Sequence, residues 1–201
     1  MWSSTVRHSL AIEGLAFRLR PVEVEDAPFI VHLRAGQTQR TRYLHPVPND
    51  VALQVQWIED YFEREDDYYW VVERKSTQTP EGLVGIYNMD RVTRCAEWGR
   101  WVLKTGSLAA PESALLVYTA AFSELALTSV FCLTLAENAA VLSFHDSCGL
   151  KRAEVVRAAF NLADGRHDAV KHICDQTNWP TAQKRLESLA QPIAQRLNGM
   201  P

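Results

Sequence analysis

Glycine is scarce in this chain. Nine of its 201 residues are glycine, against roughly 14 at the average usage of about 7%. That shortage excludes a collagen-like, linker-rich or low-complexity chain. It also means that any phosphate-cradling loop is built with few glycines. Long hydrophobic runs are missing as well. No stretch reaches the roughly 18–20 apolar residues of a membrane span, and the opening MWSSTVRHSLAIEGLAFRLR holds no apolar core of signal-peptide length. The expectation is a cytoplasmic protein with no membrane partner. There is no basic arm or Lys/Arg stripe, the formal net charge is −3 and the pI is about 6.1, which argues against nucleic acid as a partner. The four cysteines, Cys95, Cys132, Cys148 and Cys174, form no CxxC pair. Neither a zinc cluster nor a disulfide framework is indicated, so reduced, buried thiols and no metal are expected.

What remains is an ordinary globular composition, 47% hydrophobic and 22% charged, and a length that fits one large domain. Residues 15–20 (LAFRLR) alternate apolar and basic, as in a strand. Acidic Glu23, Glu25 and Asp26 precede a predicted helix over Ala27–Arg34, with Gly36 as its stop. Residues 41–49 (TRYLHPVPN) read as a loop, and Asp50 as the cap of a helix over Val51–Arg64 whose Leu53, Trp57 and Tyr61 share a face. Strands are predicted over Tyr68–Arg74, Leu83–Arg91 and Cys95–Leu103, then a helix over Glu112–Leu125 and an apolar strand over Ser129–Leu135. Asn138 opens a helix over Ala139–Ser147 and Gly149 closes it. Two strands, Glu154–Leu162 and Asp168–Asp175, flank an Asp164-Gly165 turn, and a polar tail from about residue 181 forms a short helix. The order β α α β β β α β α β β predicts an α/β fold, one mixed sheet covered by helices, in a single domain over 1–201.

Three segments carry a family resemblance: FRLRPVEVEDA (17–27), EWGRWVLKTGSLAAPESALLVYTAAFSELAL (97–127) and AENAAVLSFHDSCGLKR (136–152), the last with Leu150 in place of the usual Phe. With the element order, they resemble the GCN5-related N-acetyltransferase (GNAT) superfamily. The nearer likeness is to the branch of ribosomal-protein N-terminal acetyltransferases and nucleotide-amino-sugar N-acetyltransferases. ENAAVLSFHDSCGL, the later Asp164-Gly165-Arg166-His167-Asp168 and Asn178-Trp179 look most like the sugar-nucleotide enzymes. The resemblance implies a mostly antiparallel central sheet flanked by helices on both faces. It also implies acetyl transfer from acetyl-coenzyme A to a primary amine, best a nucleotide-linked amino sugar, in one domain that often dimerises. A protein N-terminus or small amine is the alternative acceptor. A non-catalytic ligand-binding member of the fold is the alternative from another class.

Acetyl transfer to an amine needs a group that accepts the amine proton, a fixed donor for the thioester oxygen and a partner for the leaving sulfur. Glu97, on the strand running into the cofactor loop, is the candidate base. His145 stands where many members carry the tyrosine that protonates the thiolate, and an imidazole with pKa near 6.5 keeps a protonated fraction near neutrality. Cys148, three residues on, lacks the orienting third group of a Cys–His nucleophile. The resemblance assigns the backbone of Trp101, Val102 and Leu103 to the pantetheine arm, and Gly106, Ser107, Leu108, Ala109 and Ala110 to the diphosphate, with Asn138 on the cofactor arm. The family has a basic residue or Gln and two small residues in that loop. Here Thr105, Leu108 and Ala110 align with them, and only Ala110 fits. The acceptor is expected to meet Arg42, Tyr43 and His45 in the loop and Tyr87 and Asn88 on the strand, which offer charge, stacking and hydrogen bonds.

Overall fold

The computed structural model describes residues 7–35, 47–162 and 164–199. The strands are β1 (Ile12–Glu13), β2 (Phe17–Pro21), β3 (Tyr68–Arg74), β4 (Thr79–Asp90), β5 (Cys95–Leu103), β6 (Ser129–Leu135), β7 (Lys151–Leu162) and β8 (Gly165–Asp175). The α-helices are α1 (Ala27–Ala35), α2 (Val51–Phe62), α3 (Ala110–Thr119), α4 (Ala139–Ser147) and α5 (Trp179–Leu197). The strands form one sheet in the order β1-β2-β3-β4-β5-β6-β8-β7. Every pairing is antiparallel except β5 with β6. This is the mixed α/β architecture expected, with the short edge strand β1 added. Among the described residues no helix is long and apolar enough to cross a membrane.

Strand alternation divides the core between the two faces. Trp70, Val72, Val84, Ile86 and Trp98 pack against Leu116, Val117 and Tyr118 of α3 and Leu186 of α5. Tyr69, Val71, Leu83 and Val102 pack against Ile30 and Leu33 of α1 and Ile58 and Tyr61 of α2. Burying each such side chain contributes about 1.5–3 kcal/mol.

Three local expectations differ from the structure. Asp50 does cap α2, accepting from the N–H groups of Ala52 and Leu53 at 2.8 and 3.2 Å. The buried stripe, however, runs through Gln54, Ile58 and Tyr61, and Leu53 points to solvent. Helix α3 ends at Thr119 and gives way to a π-helical turn over Ala120–Glu124. The polar tail is a 19-residue helix, α5, because Ala182, Leu186, Ala190 and Ala194 recur every four residues as one buried face. Trp179, at its start, stacks on Phe122 beside Tyr118.

The site is made by two departures from regular pairing. First, β5 and β6 pair only at Cys95↔Ser129, Ala96↔Val130 and Glu97↔Phe131, although β5 continues to Leu103 and β6 to Leu135. Beyond Glu97 the two strands separate. Second, Leu83 pairs with Val102 and Gly85 with Gly99, so Arg100 and Trp101 together oppose Val84 in a β-bulge. Arg100 takes φ = 52° there, a left-handed conformation costly for a residue with a Cβ.

Candidate active site

A cavity of about 550 Å³ occupies the gap between β5 and β6. Of the residues singled out from sequence, Tyr87, Glu97, Trp101, Val102, Leu103, Ala110, Asn138 and His145 line it. Asn88 lines a neighbouring cavity of about 370 Å³, which shares Tyr87 and Arg100 with the first. Gly106, Ser107, Leu108 and Ala109 form the loop that leads into α3 at the cavity edge. Arg42, Tyr43 and His45 lie outside the described residues.

Glu97 is the last paired residue of β5 before the strands part. Tyr87 lies directly across from it on β4 and donates its hydroxyl to Glu97 Oε1 at 3.2 Å. Asn88 Nδ2 donates to Oε2 at 3.1 Å. Both carboxylate oxygens are therefore oriented from one neighbouring strand. The tyrosine fits only because residue 99 has no side chain: a Cβ on Gly99 would stand 2.3 Å from the Tyr87 hydroxyl oxygen. Gly99→Ala is therefore expected to keep the fold but swing Tyr87 off Glu97. A loss of turnover on the order of 10- to 100-fold is expected, with an unchanged circular dichroism spectrum. Unchanged turnover would show that this bond has no part in the chemistry.

Arg100, which the sequence did not single out, secures the bulge. Its guanidinium makes two bonds to the Asp67 carboxylate, at 2.5 and 2.8 Å, and lies 4.3 Å from the Tyr87 ring centroid. Gly106 closes the turn before α3 at φ = 82°, with the Ser107 N–H donating to the Lys104 carbonyl at 3.1 Å. The Ser107 hydroxyl accepts from the Ala109 N–H at 3.2 Å and donates to Glu81 Oε2 at 2.6 Å. Leu108 does not take a positive φ, and the residue is 38% exposed. The missing glycine therefore imposes no backbone strain. Ala109 supplies no side-chain cap to α3, which leaves that helix start open to an anionic group. Asn138 caps α4, its Oδ1 accepting from the Val141 N–H at 3.4 Å.

His145 departs from its expected protonation. The residue is 2% exposed, its ring near Trp98, Trp101 and His172, with Nε2 3.5 Å from Cys132 Sγ. Burial, reinforced by His172, lowers its pKa to about 3, so the imidazole is neutral near pH 7. Burial also pushes the Cys148 thiol up to about 11, away from any role as nucleophile. The unfolded chain protonates the same histidine near 6.5. Its contribution to stability is thus complete above pH 6.5 and is lost as pH falls towards 3, by up to about 1.4 kcal/mol per pH unit. The melting temperature is expected to fall between pH 6.5 and 4, and less steeply in His145→Asn. An equally steep fall in the variant would contradict this.

The comparisons with known proteins agree with this fold. The model of the Acetyltransferase (GNAT) domain matches residues 17–151. A structure of apo FdhC, described as a nucleotide-linked sugar GNAT, is 27% identical with a TM-score of 0.74, over 92% of this chain and 98% of that one. A GCN5-related N-acetyltransferase from Brucella melitensis shares the fold at 17% identity with a TM-score of 0.77, over 94% and 90%. A variant of the spermidine N-acetyltransferase SpeG from Vibrio cholerae does so at 17% with a TM-score of 0.71, over 83% and 97%. No curated protein matches. With a family model spanning two thirds of its length and the β5–β6 cleft in place, the chain belongs to the GNAT acetyltransferase family.

Proposed function

We propose that this protein is an acetyl-coenzyme-A-dependent N-acetyltransferase whose acceptor is the amine of a nucleotide-linked sugar. The observation that carries the reading is Glu97. It is a carboxylate oriented by Tyr87 and Asn88 at the point where β5 and β6 part. Acetyl-coenzyme A supplies an activated thioester. The uncapped start of α3, with Ser107 and Ala110, receives its diphosphate, and Asn138 and the main chain of Trp101–Leu103 receive its arm. Glu97 takes the proton from the attacking amine. A main-chain N–H of the bulged strand offers the fixed donor that the thioester oxygen needs. Neutral His145 acts as a hydrogen-bond donor to the leaving sulfur and not as its acid, and solvent returns the proton. The nitrogen–carbon bond forms as the carbon–sulfur bond breaks.

The sugar acceptor is supported by the 27% identity to a nucleotide-linked sugar GNAT and by Arg42, Tyr43 and His45 in the sequence. A cytoplasmic enzyme, with the homodimer common in the family, is part of the same reading. The test incubates the protein with acetyl-coenzyme A and, separately, UDP-glucosamine, spermidine and a peptide with a free N-terminus, followed by mass spectrometry. Acetylation of UDP-glucosamine is expected. Acetylation of spermidine or the peptide alone would overturn the acceptor class. No acetylation of any would overturn the transfer.

A further inference from the structure

The wall of the cavity farthest along the sheet is Phe160, from β7. Paired residues on neighbouring strands share a face, and residues two apart on one strand share it too. Glu97 pairs with Phe131, Phe131 with Ile173, Leu133 with Lys171, and Phe160 with His167. Positions 173, 171, 169 and 167 alternate to one face, so Glu97, Phe131, Leu133 and Phe160 lie on the same side of the sheet. His145 and Cys132 pack with Trp98 on the opposite side. Phe160 therefore stands on the side of the group that takes the amine proton, away from the partner of the leaving sulfur.

Phe160 reaches the cavity through a second bulge. Val156 pairs with Ala169 and Phe160 with His167, so residues 157–159 oppose Asp168 alone. A regular register would carry Phe160 to position 165, at the hairpin tip. The bulge draws it back two positions, about 7 Å. Ala158 takes φ = 51° to make this possible, a strain that persists only where neighbours hold it. Asp168 holds it: Oδ1 accepts from the Ala158 N–H at 2.9 Å and Oδ2 pairs with Arg157. His167 ties the hairpin to Asp164 at 2.8 Å and to Glu137, next to Asn138, at 3.4 Å. The contacts of Asp164, His167 and Asp168 thus fix the bulge that carries Phe160.

We propose that Phe160 selects the acceptor, packing against the sugar ring of an anionic amine substrate, and that Asp168 positions it. This rests on the reading of the cavity as an acetyl-transfer site. Leu133 lines the cavity on the same side, and with Phe160 it gives an apolar wall that suits the C–H face of a pyranose. Arg34 and Arg100, the latter shared with Asp67, line the cavity against one carboxylate, Glu97, a balance that favours a nucleotide diphosphate over a polycation.

The test is calorimetry on the full chain. Coenzyme A is titrated first, then UDP-glucosamine into the coenzyme-A-loaded protein. Phe160→Ala should weaken UDP-glucosamine about tenfold or more and leave coenzyme A affinity within about twofold. Phe160→Tyr, which keeps the ring, should bind as the wild type does, and so reports on folding. Asp168→Ala should weaken UDP-glucosamine as Phe160→Ala does, with no further loss in the double variant. Equal weakening of coenzyme A would assign Phe160 to the cofactor wall and overturn the proposal. So would unchanged UDP-glucosamine affinity, or spermidine binding where UDP-glucosamine does not. Absence of coenzyme A binding in the wild type would instead overturn the acetyl-transfer reading beneath it.

Discussion

Glu97→Gln is expected to lower kcat on the order of 10²- to 10⁴-fold, the range that general base catalysis supplies, while coenzyme A affinity stays unchanged. The substitution preserves shape. A glutamine at this position still offers an oxygen to the Tyr87 hydroxyl, 3.2 Å away in the native protein. The Asn88 amide, which donates to Oε2 at 3.1 Å, accommodates the new N–H₂ by turning its own oxygen towards it. The missing element is the negative charge that accepts a proton from the ammonium or amine. Glu97 sits at the closed end of the β5–β6 gap, apart from the loop at the start of α3. Cofactor binding and chemistry should therefore separate cleanly. Steady-state kinetics together with coenzyme A titration reads both. Turnover within a few-fold of wild type would remove Glu97 from the mechanism.

Arg100→Ala is expected to have the largest effect on stability, about 3 kcal/mol. The guanidinium is paired with Asp67, whose side chain is 8% exposed, and removal of one partner leaves a buried carboxylate without its counter-charge. Arg64, 3.8 Å from Asp67 Oδ2, keeps the loss near the lower end of the usual 3–5 kcal/mol. The rings of Tyr87, Tyr69 and Trp57 also lose a cation within 6 Å. For a domain of this size the melting temperature should fall by roughly 6–12 °C. Lysine will not rescue it, because the bond to Asp67 is bidentate and planar. The Asp67→Ala/Arg100→Ala double variant should lose less than the sum of the two single changes. Additive losses would mean that the pair does not act as a unit.

The strands were legible because their residues are. YYWVVER and SVFCLTL have side chains that fit a pleated, buried surface, and Asp50 and Asn138 announced their helices through capping chemistry. Glu97 was also legible as a candidate, the one carboxylate on a strand ahead of a turn. What the sequence hides is pairing. Nothing in CAEWGRWVL says that β5 leaves β6 after Glu97, or that Arg100 takes a left-handed φ, a conformation normally signalled by glycine or asparagine. The same silence covers Phe160, whose bulge runs through Arg157-Ala158-Ala159 and not through a glycine. His145 illustrates a third limit. A histidine near a helix end looks titratable, and only the packing of Trp98, Trp101 and His172 around it removes its charge. Leu108, which stands out as a missing glycine in sequence, is an ordinary residue at an ordinary φ in the folded loop.

The most direct measurement is calorimetric titration of the wild-type chain with coenzyme A at moderate ionic strength, paired with a thermal melt. One molecule bound per chain, with a raised melting temperature, is the expected result. No heat and no thermal stabilisation at millimolar coenzyme A would contradict the assignment of the β5–β6 cleft as an acetyl-transfer site.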